Sequence, residues 1–220
     1  MKRIPEPELM DAPEQVRAYA EADFAEPNRL FVLMLASLVG ETEAQTLIDL
    51  GCGPGDICIR LAQALPDWHI VGLDAGPNML ATAAEAIKSA DLEARIELVQ
   101  AHLPHELPDG QFGAITSNSL LHHLPEPMAL WQSIRELARP GCWVQVMDLN
   151  RPADIDSARA LVDQYAADAP EVLRQDFFNS LLAAYTTDEV EEQVRAAGLR
   201  GLTLTCPSDR HWLVQGRIPD

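Results

Sequence analysis

The stretch Asp49-Leu50-Gly51-Cys52-Gly53-Pro54-Gly55 limits what this chain can fold into more than any other. Before it runs Gln45 to Ile48, short, apolar and partly β-branched, the pattern of a buried parallel strand. After it, Ile57 to Leu65 repeats apolar residues at helical spacing. A strand therefore turns through three glycines straight into a helix. Glycine permits positive φ there and lets a ligand approach bare backbone. The unpaired N–H groups opening the helix favour an anionic group at the same place.

The next strand, His69-Ile70-Val71-Gly72-Leu73, ends in Asp74. A carboxylate at the carboxyl end of the neighbouring strand can accept both hydroxyls of a ribose, as nucleoside sites in open α/β sheets require. A nicotinamide fingerprint, G-x-G-x-x-G, would need glycine at position 56, and Asp56 stands there. A carboxylate at the helix start repels a pyrophosphate but not a cofactor that lacks phosphate. That favours S-adenosylmethionine, whose sulfonium and ammonium groups are cationic.

Asp49 to Gly55 resembles the first motif of class I S-adenosylmethionine-dependent methyltransferases of the small-molecule type, and Val71-Gly72-Leu73-Asp74 resembles their second. The resemblance runs from about Thr46 to Leu149 and returns weakly in the last two strands. It implies a Rossmann-like sheet of seven strands, five parallel and finished by an antiparallel hairpin.

The rest of the chain agrees with that architecture. Pro13 to Ala22 and Pro27 to Val39 read as helices with proline near the start. From Thr46 strands and helices alternate: strands to Leu50, to Asp74, Arg95 to Val99, Phe112 to Thr116 and Cys142 to Met147. Helices lie between them, the last from Pro125 to Ala138. Such alternation implies an α/β, doubly wound sheet with helices on both faces. Residues 153–185 break the rhythm with two helical segments, an insertion large enough to shape a pocket. Thr186-x-x-Glu189 is a capping box for a helix closed by Gly198. Leu202 to Thr205 and Trp212 to Gln215 form the hairpin. The expectation is one domain over 1–220: a helical cover (1–44), a cofactor core (46–150), the insertion, and a C-terminal helix and hairpin (186–220).

Ligands sit outside the carboxyl ends of parallel strands, which selects the loops after Leu50, Asp74, Val99, Thr116 and Met147. Asp49, Gly51, Cys52 and Gly53 are expected around the methionine half of the cofactor. Asp74 and Ala75 are expected at the ribose, and Met79, one helical turn on, at the adenine. Relatives often carry an aspartate in the third loop; here Gln100-Ala101-His102-Leu103 stands instead, leaving His102 and Leu103, by backbone or imidazole, to meet the ring. Asn118 and Ser119 follow the fourth strand, where a backbone carbonyl should receive the cofactor ammonium. His122, His123 and His211 are candidate general bases, because imidazole titrates near neutrality. Histidines of this kind also serve merely as hydrogen-bond partners of local backbone.

Tyr19 and Phe24 are expected to cover the pocket, with Asn28, and Arg151, Tyr185 and Arg210 are candidate substrate contacts. The apolar insertion residues suggest a partly apolar acceptor. Asp148 and Asn150 hint at the metal site of catechol-type methyltransferases, but that site needs an acid where Ser117-Asn118 stands, so no metal is expected. The absence of an N-P-P-Y-type motif argues against methylation of nucleic-acid bases.

A formal net charge of −18 over 220 residues opposes binding to a phosphate backbone. Cys52, Cys58, Cys142 and Cys206 form no C-x-x-C pair and read as buried, reduced thiols. The first eight residues, rich in proline and glutamate, read as mobile and lack the apolar run of a signal peptide. Leu30 to Val39 is too short to span a bilayer. The expectation is a soluble, cytoplasmic enzyme with a small-molecule substrate, no nucleic-acid or membrane partner, and a homodimer among its open assembly states. The expected activity is methyl transfer from S-adenosylmethionine. Its rivals are a cofactor-binding sensor or inactive paralogue and, further off, a nicotinamide-dependent oxidoreductase.

Overall fold

The computed structural model of the chain describes every residue except 7–10, 23, 41 and 44. Five strands, β1 (Thr46–Leu50), β2 (His69–Asp74), β3 (Ile96–Gln100), β4 (Phe112–Asn118) and β5 (Ala138–Leu149), pair in parallel. β7 (His211–Arg217) adds to β5 antiparallel, and β6 (Leu202–Thr205) pairs antiparallel with β7. The order is β3-β2-β1-β4-β5-β7-β6. The order reverses at β1, between β2 and β4, and a crevice opens at such a switch point beyond the strand ends.

Alternation along the strands assigns side chains to the two faces. Leu47, Ile70, Ala114 and Met147 join one buried cluster with Phe31, Val32 and Leu35 of α2 (Ala25–Val39), Leu61 of α3 (Asp56–Ala64) and Ile87 of α4 (Pro77–Ser89). Ile48, Val71, Ile115 and Val144 join the opposite cluster with Leu130 and Trp131 of α5 (Met128–Leu137) and Val190 of α8 (Thr187–Ala196). Trp131 and Trp212 are fully buried there, their ring centroids 6.5 Å apart. The insertion forms α6 (Ile155–Tyr165) and α7 (Glu171–Ala183), which bury a third, smaller cluster around Val162, Leu181 and Leu149. The capping box is formed: Thr186 N–H donates to Glu189 Oε2 at 2.8 Å and Thr186 Oγ1 accepts from Glu189 N–H at 3.4 Å.

Four expectations change. β4 continues through Ser117 and Asn118, because both pair with β5 (Ser117 opposite Val146, Asn118 opposite Met147). β5 is twice the expected length, since β7 supplies a partner as far as Leu149 and Ala138 pairs with Phe112 of β4 at the other end. α5 opens at Met128, and Leu121–His123 make a separate 3₁₀ turn. Cys206 is exposed, whereas the other three thiols are buried; all four are free.

The start of the chain is docked as far as it is described. The Ile4 N–H bonds to Leu182 O at 3.0 Å, and the Arg3 guanidinium donates to the carbonyls of Ala183, His122 and Leu124. Arg3 also lies over the Tyr185 ring, 4.2 Å from its centroid. Three accepting carbonyls and an aromatic face hold a segment whose composition suggests none of this; the remaining residues of that expectation, 7 and 8, lie outside those described.

Arg95, just ahead of β3, donates to Trp68 O at 2.9 Å, to Leu65 O at 2.8 Å and to Ala62 O at 3.3 Å, carbonyls at and beyond the end of α3. Leu65 O also accepts from Trp68 N–H at 3.0 Å, and the guanidinium adds a charged donor to carbonyls around the helix end, where backbone acceptors run short of partners. Replacing Arg95→Ala is expected to cost about 1.5–3 kcal/mol, the range for hydrogen bonds to a charged group. Urea denaturation checks this; an unchanged midpoint would show that Arg95 adds nothing to stability.

Candidate active site

The turn between β1 and α3 is left-handed at three points, with φ of +75° at Gly51, +52° at Gly53 and +84° at Gly55. The N–H groups of Gly51 and Cys52 both donate to Leu73 O, at 2.8 and 3.0 Å, which fastens the turn to the end of β2. Asp74 stands at that end. Its Oδ2 accepts from Gly53 N–H and its Oδ1 from Gly76 N–H, both at 2.8 Å. Burial raises its carboxyl from the usual range, against the lowering effect of these donors. A Cβ added at Gly53 would meet nothing within 4 Å, so the backbone there borders open space.

That space is a cavity of about 620 Å³, joined at Gly51, Gly53 and Asn118 by a smaller recess of about 170 Å³ under Tyr19 and Phe24. Asp74, Ala75, Met79, His102, Leu103, Asn118 and Ser119 all line the large cavity, and Cys52 lines the recess. The Asn118 Oδ1 is buried without a hydrogen-bond partner at their junction. Ser119 carries φ +57°, a left-handed conformation rare outside glycine and common where a site stores backbone strain. Tyr19 and Phe24 lie over the glycine turn with ring centroids 4.8 Å apart. Asn28 donates to Asp56 at 2.8 Å, and Arg60 pairs with the same carboxylate at 2.7 Å.

Asp49 is not on the wall. It lies behind the turn, 1% exposed, accepting from Thr116 Oγ1 at 2.9 Å and facing Cys58 Sγ at 3.6 Å. Burial pushes its carboxyl up to about 7 despite those two donors.

The far end of the cavity holds the three candidate histidines and the hairpin between β6 and β7. His122 Nδ1 lies 2.5 Å from Asp148 Oδ1, and its backbone N–H donates to Asp148 Oδ2 at 3.1 Å. Burial disfavours the charged imidazole, but Asp148 and Glu6 outweigh it and raise His122 overall. Glu6 Oε1 lies 3.5 Å from His122 Nε2 and 3.3 Å from His123 Nδ1, and accepts from Ser180 Oγ at 3.1 Å. Burial lowers His123 to about 3, helped by His122. His211 is lowered to about 4 by burial and by Arg210, and its Nδ1 is 2.8 Å from Ser208 Oγ. The Arg210 guanidinium stacks on Tyr165 of α6, 3.4 Å from the ring centroid, and Tyr165 Oη donates to Asp209 at 2.7 Å. Leu173, Phe177 and Asp176 of α7 complete this end.

Two expected substrate contacts lie elsewhere. Arg151 is spent on Ala184 O at 3.0 Å and on Glu189 at 2.8 Å, tying the end of β5 to the start of α8. Tyr185 is buried, with its hydroxyl 3.5 Å from Leu124 O and Arg3 over its ring. Neither borders the cavity. The sequence reading missed Glu6, in a segment that reads as mobile, and Asp176 and Leu173, whose direction depends on how α7 lies. No metal was expected from Asp148 and Asn150; the structure engages Asp148 with His122 and assembles a different trio, Glu6, His122 and His123.

A sheet in this order, with a glycine turn hydrogen-bonded to a strand-end acid over an open cavity, defines the class I nucleoside-cofactor methyltransferase fold. Residues 48–144, under half of the chain, match the family described as a methyltransferase domain, and the sheet has the Rossmann-like order of solved S-adenosylmethionine-dependent methyltransferases. It is 30% identical over 108 residues to a demethylmenaquinone methyltransferase of Listeria welshimeri, covering 48% of this chain and 45% of that one. It is 36% identical over 115 residues to a trans-aconitate 2-methyltransferase of Mycobacterium tuberculosis, covering 51% and 40%. The chain thus spans less than half the length of these curated relatives. Among solved structures it resembles a methyltransferase from Aquifex aeolicus, with TM-score 0.68, 18% identity and 94% and 98% of the two chains covered. It also resembles the plantazolicin methyltransferase BpumL in complex with a monoazolic desmethylPZN analog and SAH, with TM-score 0.71, 12% identity and 94% and 91% covered.

The raised Asp49 has a direct consequence for stability. A carboxyl held above its ordinary 3.8 stabilises the fold fully below that pH, and the contribution is lost as pH rises through about 7. Asp49→Asn keeps the shape without the charge. Its melting temperature relative to the parent is expected to rise as pH goes from about 4 to 8; a difference constant with pH would contradict the buried-acid account.

Proposed function

We propose that this protein transfers a methyl group from S-adenosylmethionine to a small, partly apolar acceptor bound at the far end of the cavity. The observation that carries the reading is the continuity of that cavity, from Gly53 and Asp74 past Asn118 to the histidines and the apolar face of α7. The residues fit the cofactor in three ways. Gly53 leaves bare backbone at open space. The lone pairs of Asp74 left over from Gly53 and Gly76 suit two ribose hydroxyls. The unpartnered Asn118 Oδ1 suits an ammonium group. Met79, Ala101 and Leu103 offer an apolar berth for adenine, in line with a third loop that lacks the usual aspartate.

When bound, the cofactor supplies a methyl group activated by a sulfonium. The protein's share is then alignment and dryness: the acceptor atom must meet the methyl in line at near-attack distance. Leu124, Leu149, Leu173 and Phe177 give that end apolar walls. Arg210, fixed by Tyr165 and Asp209, can position an anionic or polar acceptor group. His211 stays neutral well below pH 7, so its lone pair is available for a proton from a hydroxyl or ammonium acceptor.

Calorimetry and thermal shift test the reading together. S-adenosylmethionine and S-adenosylhomocysteine are expected to bind and to raise the melting temperature with concentration, whereas NAD does neither. S-adenosylhomocysteine release is then screened over small hydroxyl, thiol, amine and carbon acceptors. Stabilisation by NAD alone would overturn the assignment, and cofactor binding without turnover on any acceptor class would favour a sensor. Asp74→Ala is expected to weaken cofactor binding by about 1.5–3 kcal/mol. With a hydroxyl acceptor, His211→Gln is expected to lower kcat about 10²-fold with cofactor affinity retained; equal kcat in both proteins would remove His211 from proton transfer.

A further inference from the structure

We infer that Glu6, His122 and His123 form a binding site for a divalent transition-metal ion of the zinc type, open to the cavity. Their donor atoms, one carboxylate oxygen and two imidazole nitrogens, lie within 4.8 Å of one another. Zinc binds nitrogen and oxygen at about 2.0–2.1 Å, and at tetrahedral angles this puts neighbouring donors about 3.3–3.4 Å apart. Glu6 Oε1 stands 3.3 Å from His123 Nδ1 and 3.5 Å from His122 Nε2. Two of the three donor separations therefore already have the spacing of a metal's coordination shell.

A second observation points the same way. His123 Nδ1 is buried and has no hydrogen-bond partner, despite its nearness to Glu6. A buried nitrogen without a partner normally costs stability, and each such atom calls for an explanation. A metal ion would occupy its lone pair.

The surroundings have the outer shell that metal-bound histidine requires. His122 faces Glu6 through Nε2, and its other nitrogen, Nδ1, is held by Asp148. Asp148 is itself fixed by the backbone N–H groups of His122 and Leu149, at 3.1 and 2.6 Å. A carboxylate on the far nitrogen fixes ring direction and raises ligand basicity. Ser180 likewise donates to the Glu6 carboxylate at 3.1 Å. Three protein ligands leave a fourth position free, the arrangement of zinc sites that act on substrates rather than brace a fold. Both histidines line the cavity, so the free position faces the place where an acceptor would lie. An acceptor with an oxygen or sulfur donor would be bound there by that atom. This site stands whether or not the cavity carries out methyl transfer.

Untagged protein stripped with chelator is titrated with Co²⁺ and followed by its visible absorption, then challenged with Zn²⁺. One equivalent of Co²⁺ with the intense visible bands of a four-coordinate site, displaced by Zn²⁺, is expected. Glu6→Gln and His123→Ala are each expected to weaken Co²⁺ binding at least tenfold, with thermal melting verifying that each variant is folded. If the trio is only a hydrogen-bonded network, no visible bands develop, or the bands persist unchanged in Glu6→Gln; either result overturns the proposal. Calorimetry with S-adenosylmethionine on the stripped protein separates this outcome from failure of the methyltransferase reading, because the cofactor residues are not among the three ligands.

Discussion

The structure depends on one joint: the glycine turn after β1 hangs from the Leu73 carbonyl near the end of β2. Gly51 and Cys52 donate to Leu73 O, and Gly53 donates to the Asp74 side chain. The donors Gly51 and Gly53 stand at positive φ, where a Cβ would cost energy. At Gly51 a Cβ would also come within 2.8 Å of Leu120. The joint fixes the open backbone beside the Asp74 carboxylate, and both border the cavity. The order reversal at β1 then supplies the crevice into which both face.

Two layers of apolar packing hold that crevice at a fixed width. α2, α3 and α4 cover one face of the sheet while α5 and α8 cover the other. Over this frame, α1 (Pro13–Glu21) and the residue capping α2 carry Tyr19 and Phe24 over the turn, and α6 and α7 wall the far end. Charge follows the same division. Near the turn the buried acids Asp49 and Asp74 are held above their ordinary values by burial, an environment that suits a cationic ligand. At the far end, histidines and carboxylates meet around a single oxygen of Glu6.

The sheet and the glycine-turn end of the cavity were legible in the sequence because local rules write them. Three glycines in five residues, a strand ending in aspartate, and a capping box each impose a local geometry that packing leaves intact. The lining residues Met79, Asn118 and Ser119 followed from strand ends alone. The far end of the cavity was not legible, because its residues converge only through tertiary packing. Arg151 looked like a loop arginine until α8 brought Glu189 to it, and Tyr185 looked free until Arg3 covered it. Glu6 gave no signal: nothing in a proline- and glutamate-rich start announces that Arg3 will pin it beside two histidines from the opposite half of the chain. Asp49 was placed in the right neighbourhood with the wrong direction, since strand alternation turns it inward toward Thr116.

The most direct test of the account is a crystal structure with S-adenosylhomocysteine soaked in. The account requires density along Gly51–Gly53, with the ribose hydroxyls on Asp74, the amino group near Asn118 and the sulfur aimed toward the histidines. An empty crevice at saturating ligand, or the nucleoside bound away from Asp74, would contradict it.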